Sequence, residues 1–520
     1  MIRLITLCLL ATLTTSSLLA QVLTKRIVMV NGGQFGNPAE PVNVQLYDPE
    51  SGTYAALDSV QTGSAQDVLI DGPYAYVAAQ DSIVRYDLTT QTVLAATAFG
   101  GVSTNRMALS DAYLLVGNAF LPFGSTDPYP NNLRIFDRET LALVDSVPAL
   151  SLPVGNLLVI GDTAYLTQNA TNQNFADSAG YLVKVDLVSR TVVDTVQVNQ
   201  NQEDLGPLVL LDSVIYGING GSNSITTYDL RDGSVRTDPV AVDLQPGTYG
   251  ARFTLDETGL LYTVIDGAIG SFDLATRSVV QASIVDTVVT GFVLDTVNER
   301  FYVTQTDFFS YNGGIIYDEN GIRLDTLLVG FAPEVVGAAY NHRPSANNDS
   351  ATLDLSLAAS LRVAILANDQ DPDARRPLTV AIITPGLQGT VALAGDTLVY
   401  DPFAGLGGLD SVQYVLTDEW GDRDTAWVLI EVQTGTGLPM PTETVMSLFP
   451  NPATEQITLQ FAYPWSGTVT CYDLQGRRML AQPIFQQQRA YLSVEALPAG
   501  HYLLRGQGEG QAWQQLLIKH

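Results

Sequence analysis

The stretch Ser82-Ile83-Val84-Arg85-Tyr86-Asp87-Leu88-Thr89-Thr90-Gln91-Thr92 reads as a short strand that ends in a hydrophobic residue plus aspartate, turns and starts again. The same ending recurs at Leu46-Tyr47-Asp48, Ile135-Phe136-Asp137, Lys184-Val185-Asp186, Thr227-Tyr228-Asp229, Ser271-Phe272-Asp273 and Ile316-Tyr317-Asp318. Successive aspartates lie 39, 50, 49, 43, 44 and 45 residues apart. Runs such as Asp48-Pro49-Glu50-Ser51-Gly52 and Asp229-Leu230-Arg231-Asp232-Gly233 give each aspartate an ordinary task, because its carboxylate can accept the N–H groups of the turn that follows. A role in metal or substrate binding is the competing reading.

Working outward, one unit runs as strands over 67–70, 74–79, 82–86 and 92–99, with a turn at Asp71-Gly72. Later units begin at 106–109, 157–160, 207–211, 252–255 and 291–294. Several short strands repeating every 40–50 residues or so are the mark of β-propeller blades. The unbroken apolar run Leu157-Leu158-Val159-Ile160 suits a strand buried on both faces between blades. The first unit starts with what looks like a second strand, 26–30. The missing first strand reappears as Glu334-Val335-Val336-Gly337-Ala338-Ala339-Tyr340, so pairing of these two ends would remove the open edge. The expectation is a seven-bladed β-propeller over 21–341. By period and strand pattern it resembles bacterial surface propellers of the YVTN-repeat type. All four tryptophans (Trp420, Trp427, Trp465, Trp513) lie beyond it, which speaks against a WD40 array, tryptophan-docked quinoprotein blades and the sialidase aspartate box.

Bulk properties narrow the function. With 25 Lys and Arg against 54 Asp and Glu, the formal charge is −29, which argues against nucleic acid as a partner. Met1-Ile2-Arg3, an apolar run over 4–13 and Ala20 before Gln21 read as a signal peptide, 1–20. No later run approaches the roughly 18 apolar residues of a membrane span. The two cysteines are Cys8, inside the signal, and Cys471, so an exported fold without an internal disulfide is expected. Cys471 reads as a core residue rather than a reactive thiol.

After Tyr340 the period breaks. Residues 344–433 carry Ile365-Leu366-Ala367-Asn368-Asp369-Gln370-Asp371-Pro372-Asp373, Gly389-Thr390-Val391, Leu398-Val399-Tyr400-Asp401-Pro402, Gly408-Leu409-Asp410-Ser411-Val412-Gln413-Tyr414 and Thr417-Asp418. This stretch resembles the cadherin-like, immunoglobulin-type modules of bacterial adhesins. Asp369, Asp371 and Asp373 offer closely spaced hard oxygen ligands of the type calcium takes. The family's run usually continues with Gly-Asp, whereas Ala374-Arg375-Arg376 follows here, and a satisfied turn is the alternative. A linker spans 434–443. Residues 444–520 then carry Leu448-Phe449-Pro450-Asn451-Pro452-Ala453, Tyr472-Asp473-Leu474-Gln475-Gly476-Arg477, Leu497-Pro498-Ala499-Gly500-His501-Tyr502 and Leu516-Leu517-Ile518-Lys519-His520. They resemble the type A C-terminal sorting domain of the type IX secretion system of Bacteroidota, with Pro450, Asn451, Pro452, Gly476, Arg477, Gly500 and Lys519 as the motif positions. That resemblance implies passage through the periplasm, the outer-membrane type IX machinery as partner, and a secreted or outer-surface product. The fold class expected is all-β: a seven-bladed propeller plus two small β-sandwich (Ig-like) domains.

Three loops between second and third strands are enlarged, 31–41, 120–131 and 168–180, and 199–205 would border the same rim. They hold Gln34, Phe35, Asn37, Phe120, Phe123, Asp127, Tyr129, Asn169, Asn172, Asn174 and Phe175. Aromatic faces interleaved with amides suit a glycan or protein ligand; surface decoration is the competing reading. Enzyme signatures are scarce. The three histidines are His342, His501 and His520, none within the blades, which disfavours a Ser-His-Asp triad or a histidine metal centre there. No P-loop, nucleophile elbow or dinucleotide fingerprint stands in a fitting context. The expectation is a non-enzymatic binding or adhesion protein without a cofactor, unless calcium binds the cadherin-like module. The alternative is a secreted propeller hydrolase or lyase acting on polysaccharide or lactone.

Overall fold

A computed structural model describes residues 22–33, 40–98, 103–120, 133–147, 149–150, 152–171, 177–199, 204–220, 223–245, 253–309, 312–373, 376–433, 446–473, 476–508 and 511–520. The described chain is all-β, without helices. It divides into two compact units. The first comprises 1–343 with the short segments 371–377 and 418–422; the second comprises the remainder.

Among the described residues, the first unit holds seven antiparallel sheets in a propeller-like arrangement. The sheet that opens it joins Val22–Asn31, Val42–Asp48 and Thr53–Val60 to Pro333–His342. In that closing pair Ile27 faces Ala338 and Val30 faces Val335, which is the pairing the sequence suggested for the two ends. The next sheet runs Ala65–Asp71, Tyr74–Ala79, Ser82–Asp87, Thr92–Ala98, and the other five repeat the order, except that in the sixth two short pieces, Leu244–Gln245 and Thr254–Leu255, share the place of the first strand; the last is Gly291–Asp295, Arg300–Thr306, Asn312–Asp318 and Arg323–Thr326.

Packing follows from strand position. Second strands such as Tyr74–Ala79 and Arg300–Thr306 are buried on both faces, third strands range from buried throughout (Ser82–Asp87) to alternating (Asn312–Asp318), and the fourth strands are largely exposed. Apolar side chains from facing sheets then fill each gap. Val44 and Leu46 of the opening sheet meet Val77 and Val84 of the next. At the other end Ile27 and Met29 meet Tyr302 and Ile316 of the seventh sheet. Each buried Val or Leu contributes roughly 1.5–3 kcal/mol, so the sheets hold one another without a disulfide. The glycines that recur along these strands leave room for close backbone approach: a Cβ on Gly291 would stand 2.3 Å from the Glu334 carbonyl oxygen of the neighbouring innermost strand.

In the second unit, Asp349–Asp354, Arg423–Gln433, Gly408–Thr417 and Thr379–Thr384 form one sheet, and Leu361–Ala364, Thr397–Pro402 and Gly389–Ala394 form another. Tyr400, Val412, Tyr414, Val428 and Ile430 fill the core of this immunoglobulin-like module. The pair Asp349–Asp354 and Arg423–Gln433 is parallel, while the other pairs of these two sheets are antiparallel. Residues 446–520 form a further sheet from Met446–Phe449, Gln456–Tyr472, Arg478–Ser493, Gly500–Gly508 and Gln511–Lys519. Its core holds Phe461, Trp465 and the fully buried Cys471, whose thiol burial pushes up to about 12.

Candidate functional site

All seven recurrent aspartates accept backbone N–H groups of the turn that follows. Asp48 Oδ1 takes Glu50 and Ser51; Asp87 takes Thr89 and Thr90; Asp137 takes Glu139 and Thr140. Asp186 takes Ser189, Asp229 takes Arg231, Asp273 takes Thr276, and Asp318 takes Asn320 and Ile322. These hydrogen bonds favour the ionised form: Thr140 holds Asp137 low, Ser189 holds Asp186 low, and Arg231 draws Asp229 down to about 2. The row is therefore turn chemistry at one end of the sheets.

The opposite end carries a feature that sequence reading missed. The ladders place Tyr74, Tyr113, Thr163, Val214, Leu260 and Arg300 opposite the recurrent aspartates, and Ile27 opposite Tyr47 puts Arg26 in the same place. Five residues further along these second strands stand Asn31, Ala79, Asn118, Gln168, Asn219, Ile265 and Gln305. The five amides are all buried. Three of them fasten the segment that arrives from the preceding sheet. Asn31 Oδ1 accepts from Gly330 N at 2.9 Å, Gln168 Nε2 donates to Leu152 O, and Gln305 Nε2 donates to Val288 O at 2.8 Å. Asn31 Nδ2 also donates to Asn43 Oδ1 at 2.7 Å, and Asn219 Nδ2 to Ser224 and Thr226 hydroxyls. Counting a fixed number of residues from each aspartate's ladder partner would have revealed this row, but the partner is known only once register is known.

The strands that lead into the three expected loops all end here, but the third loop is shorter than the 168–180 expected, because 168–171 pair with 177–181 as a continuation of the ladder and carry the hairpin on to Thr171. Of the residues expected to bind ligand, Gln34, Phe35, Asn37, Phe123, Asp127, Tyr129, Asn172, Asn174 and Phe175 lie outside the described residues. Phe120 ends the strand Tyr113–Phe120. Asn169 is bound within the fold: its Oδ1 accepts from Leu205 N at 3.0 Å and its Nδ2 donates to Leu205 O.

Glu334 is the second residue of the innermost strand Pro333–His342. It is 8% exposed. Its carboxyl lies against Gly32, where an added Cβ would stand 1.9 Å from Oε1. Burial alone pushes it up to about 8, so the group is mostly protonated at neutral pH.

Of the three aspartates of the calcium expectation, Asp369 has partners of its own, whereas the carboxyls of Asp371 and Asp373 adjoin. Asp369, in the second unit, accepts from Asn347 N at 2.6 Å and from the Tyr414 hydroxyl. In the first unit, Asp373 accepts from His342 N at 2.9 Å and faces His342 Nδ1 at 3.0 Å; burial and the adjoining Asp373 carboxyl raise Asp371. Among the described residues no group of three His, Cys, Asp or Glu side chains is placed to hold a metal ion.

Five of the seven sorting-motif residues, Pro450, Asn451, Pro452, Gly500 and Lys519, lie in or beside the last strand. Asn451 Nδ2 donates to Leu516 O at 2.7 Å, and its Oδ1 accepts from Ile518 N at 2.8 Å. Ala453 N donates to Ile518 O, and His520 N to Ala453 O. Gly500 faces Lys519 across the ladder. The segment Pro450-Asn451-Pro452-Ala453 thus acts as a clasp along one edge of the terminal strand, with the strand from Gly500 on the other. Gly476 and Arg477 belong to a turn elsewhere in the sheet, where Arg477 Nε donates to Asp473 Oδ2 at 2.7 Å and Gly476 takes φ = +74°, a conformation that favours glycine.

Comparison with known proteins bears on the modules separately. Residues 341–431 match the bacterial Ig domain family, residues 447–520 match the secretion system C-terminal sorting domain, and residues 153–290 match a repeat of unknown function. No curated protein sequence matches the chain. Among solved structures, it is similar to a quinonprotein alcohol dehydrogenase-like protein from Bacteroides thetaiotaomicron VPI-5482, at 16% identity over 60% of this chain and 78% of that one, with a TM-score of 0.46. It is also similar to a putative 6-phosphogluconolactonase from Bacteroides uniformis ATCC 8492, at 13% identity over 61% of this chain and 100% of that one, with a TM-score of 0.43. Likenesses this distant carry no argument about activity. The sorting domain does carry one about destination: the chain is exported by type IX secretion, whose machinery is its partner, and it is a secreted, cell-surface protein. Among the described residues no helix is long and apolar enough to cross a membrane.

Proposed function

We propose that the chain is a non-enzymatic recognition protein of the cell surface. The seven sheets act as the blades of a seven-bladed propeller of YVTN type and form the recognition head; the cadherin-like module is a spacer. The observation that carries this reading is the sorting domain at the end of a chain in which the second strands leading into the three expected loops all end on the amide-bearing side. Rigid sheets that present long loops in one sector are a common way to build a binding surface, and the ligand is an extracellular glycan or protein. The test is a glycan and peptide array probed with the purified exported chain, followed by incubation of each hit and a search for products. We expect binding without turnover, weakened at least tenfold in Phe123→Ala or Phe175→Ala. Turnover of a sugar or lactone, abolished by substitution of one carboxylate in these loops, would overturn the non-enzymatic reading.

A further inference from the structure

The second unit holds a cavity of about 530 Å³, a size that suits a small-molecule ligand. One wall is the outward face of the immunoglobulin-like module, where Trp427 and Leu429 stand on Arg423–Gln433 and Leu409 on Gly408–Thr417. The other wall is a face of the sorting domain. There the ladders set Tyr472, Leu503 and Leu516 side by side in one row across three strands. Leu409, Leu429 and Leu516 are 59%, 51% and 48% exposed, so the slot between the walls is both apolar and open to water. Apolar surface gathered in a groove marks a place where a ligand or partner sits.

The polar groups around the slot decide the kind of ligand. Both carboxylates that line it are already engaged. Asp410 is 3% exposed and accepts from Leu387 N at 2.9 Å, Gln388 N at 2.8 Å and the Tyr400 hydroxyl at 2.7 Å. Asp473 accepts from Arg477 Nε at 2.7 Å. Arg505 is the reverse case. It lies on the same face as Leu503, two residues further along the strand, a distance of roughly 7 Å. Among the described residues no carboxylate or carbonyl accepts from its guanidinium, although the chain has 54 Asp and Glu against 25 Lys and Arg. A cation without a counter-ion at the end of an apolar row matches a ligand built in the same order, an apolar chain with an anionic head. The planar fork of a guanidinium suits a carboxylate in particular, which it can hold through two N–H groups. We infer that this slot binds the acyl chain of a fatty acid whose carboxylate pairs with Arg505. The site is separate from the recognition head of the first unit. Part of it is the terminal strand Gln511–Lys519, so it exists only in a chain that carries the sorting domain.

The test titrates the full chain with decanoate, decanol and decyltrimethylammonium, followed by calorimetry. A second readout is quenching of tryptophan fluorescence by 11-bromoundecanoate. Decanoate is expected to bind at one site per chain, at least tenfold more tightly than the neutral or the cationic probe. Arg505→Gln should weaken decanoate at least tenfold and leave decanol unchanged, a split that a general loss of structure would not produce. Leu429→Asp, at a half-exposed position, should abolish binding of both without moving the urea midpoint. The bromo acid should quench a component of the emission that Trp427→Phe removes. No saturable decanoate binding, affinity unchanged in Arg505→Gln, the ammonium or the alcohol bound as tightly as the acid, or quenching that survives in Trp427→Phe would overturn the assignment. Loss of decanoate and decanol together in Arg505→Gln would make Arg505 a support of the fold and overturn its pairing with the head.

Discussion

At the scale of single residues, Asp87 and Glu334 are opposite cases of one rule: the environment decides whether a carboxyl stabilises or strains the fold. Asp87 is 2% exposed and accepts from Thr89 N, Thr89 Oγ1, Thr90 N and Arg376. We expect Asp87→Ala to cost about 1–3 kcal/mol, because it leaves buried donors unpaired; urea unfolding of the mature chain measures it, and a midpoint unchanged from wild type would show the turn holds without the carboxylate. Glu334 works the other way. Its proton affinity rises from the ordinary 4.5 to about 8 in the native state, so the folded protein binds more protons than the unfolded one in between. Stability from this group is therefore complete below about pH 4.5 and is lost as pH rises towards 8. The full swing is up to roughly 4–5 kcal/mol. Glu334→Gln should be more stable than wild type at pH 8 and should flatten that part of the pH–stability profile; a parallel profile in the variant would contradict this account. The depressed carboxylates of Asp137, Asp186 and Asp229 act with the opposite sign, adding stability that is lost as pH falls through their lowered values, for Asp229 towards about 2.

At the scale of elements, the turn row was legible and the amide row was not, for a physical reason. An aspartate that serves the next three residues is a local device, so the residues that reveal it are adjacent in sequence. Asn31, Gln168 and Gln305 serve segments that arrive from another sheet, as far off as Gly330. Their neighbours differ, one is Asn and two are Gln, and only the ladder register aligns them. The strand 334–340 was likewise readable as the missing partner of 26–30, but its glutamate was not: alternation along a strand puts every second residue on a different face without saying whether both faces are covered. Asn31→Leu should cost about 2–4 kcal/mol, since the Gly330 amide and the Asn43 side chain lose their partner in a fully buried place. Native-state hydrogen exchange at Gly330 should then accelerate more than exchange in the neighbouring sheets; uniform acceleration would mean the amide supports the whole unit rather than its own segment. In the sorting domain, Asn451→Ala removes both side-chain hydrogen bonds to the final strand. We expect reduced export with the protein retained in the periplasm, followed by immunoblotting of cell fractions. Normal export of a folded variant would show that the clasp is dispensable for recognition.

At the scale of the whole chain, composition and spacing separated three kinds of module and a destination, because export signals and repeats are written in order along the sequence. Ligand identity is not written that way: most of the residues expected to bind lie in three separate stretches of the first unit, outside the described residues. Removing 447–520 should abolish surface display while leaving synthesis intact, read out by protease accessibility on whole cells; undiminished display would point to a second sorting element.

The closing pair of Val22–Asn31 with Pro333–His342 has a kinetic side. The first strand of the described chain finds its inner neighbour more than three hundred residues later, so that sheet is among the last to form and its contacts are among the most remote in sequence. Up to that moment the opening strand keeps an unsatisfied edge, and the apolar faces that meet the seventh sheet stay wet. A chain emerging from its synthesis or its translocation pore end first would carry that exposed edge until residue 342 had followed. The join is thus a checkpoint in time as well as a seam in space, and a chaperone that shields unpaired strands would have its longest dwell at residues 22–31.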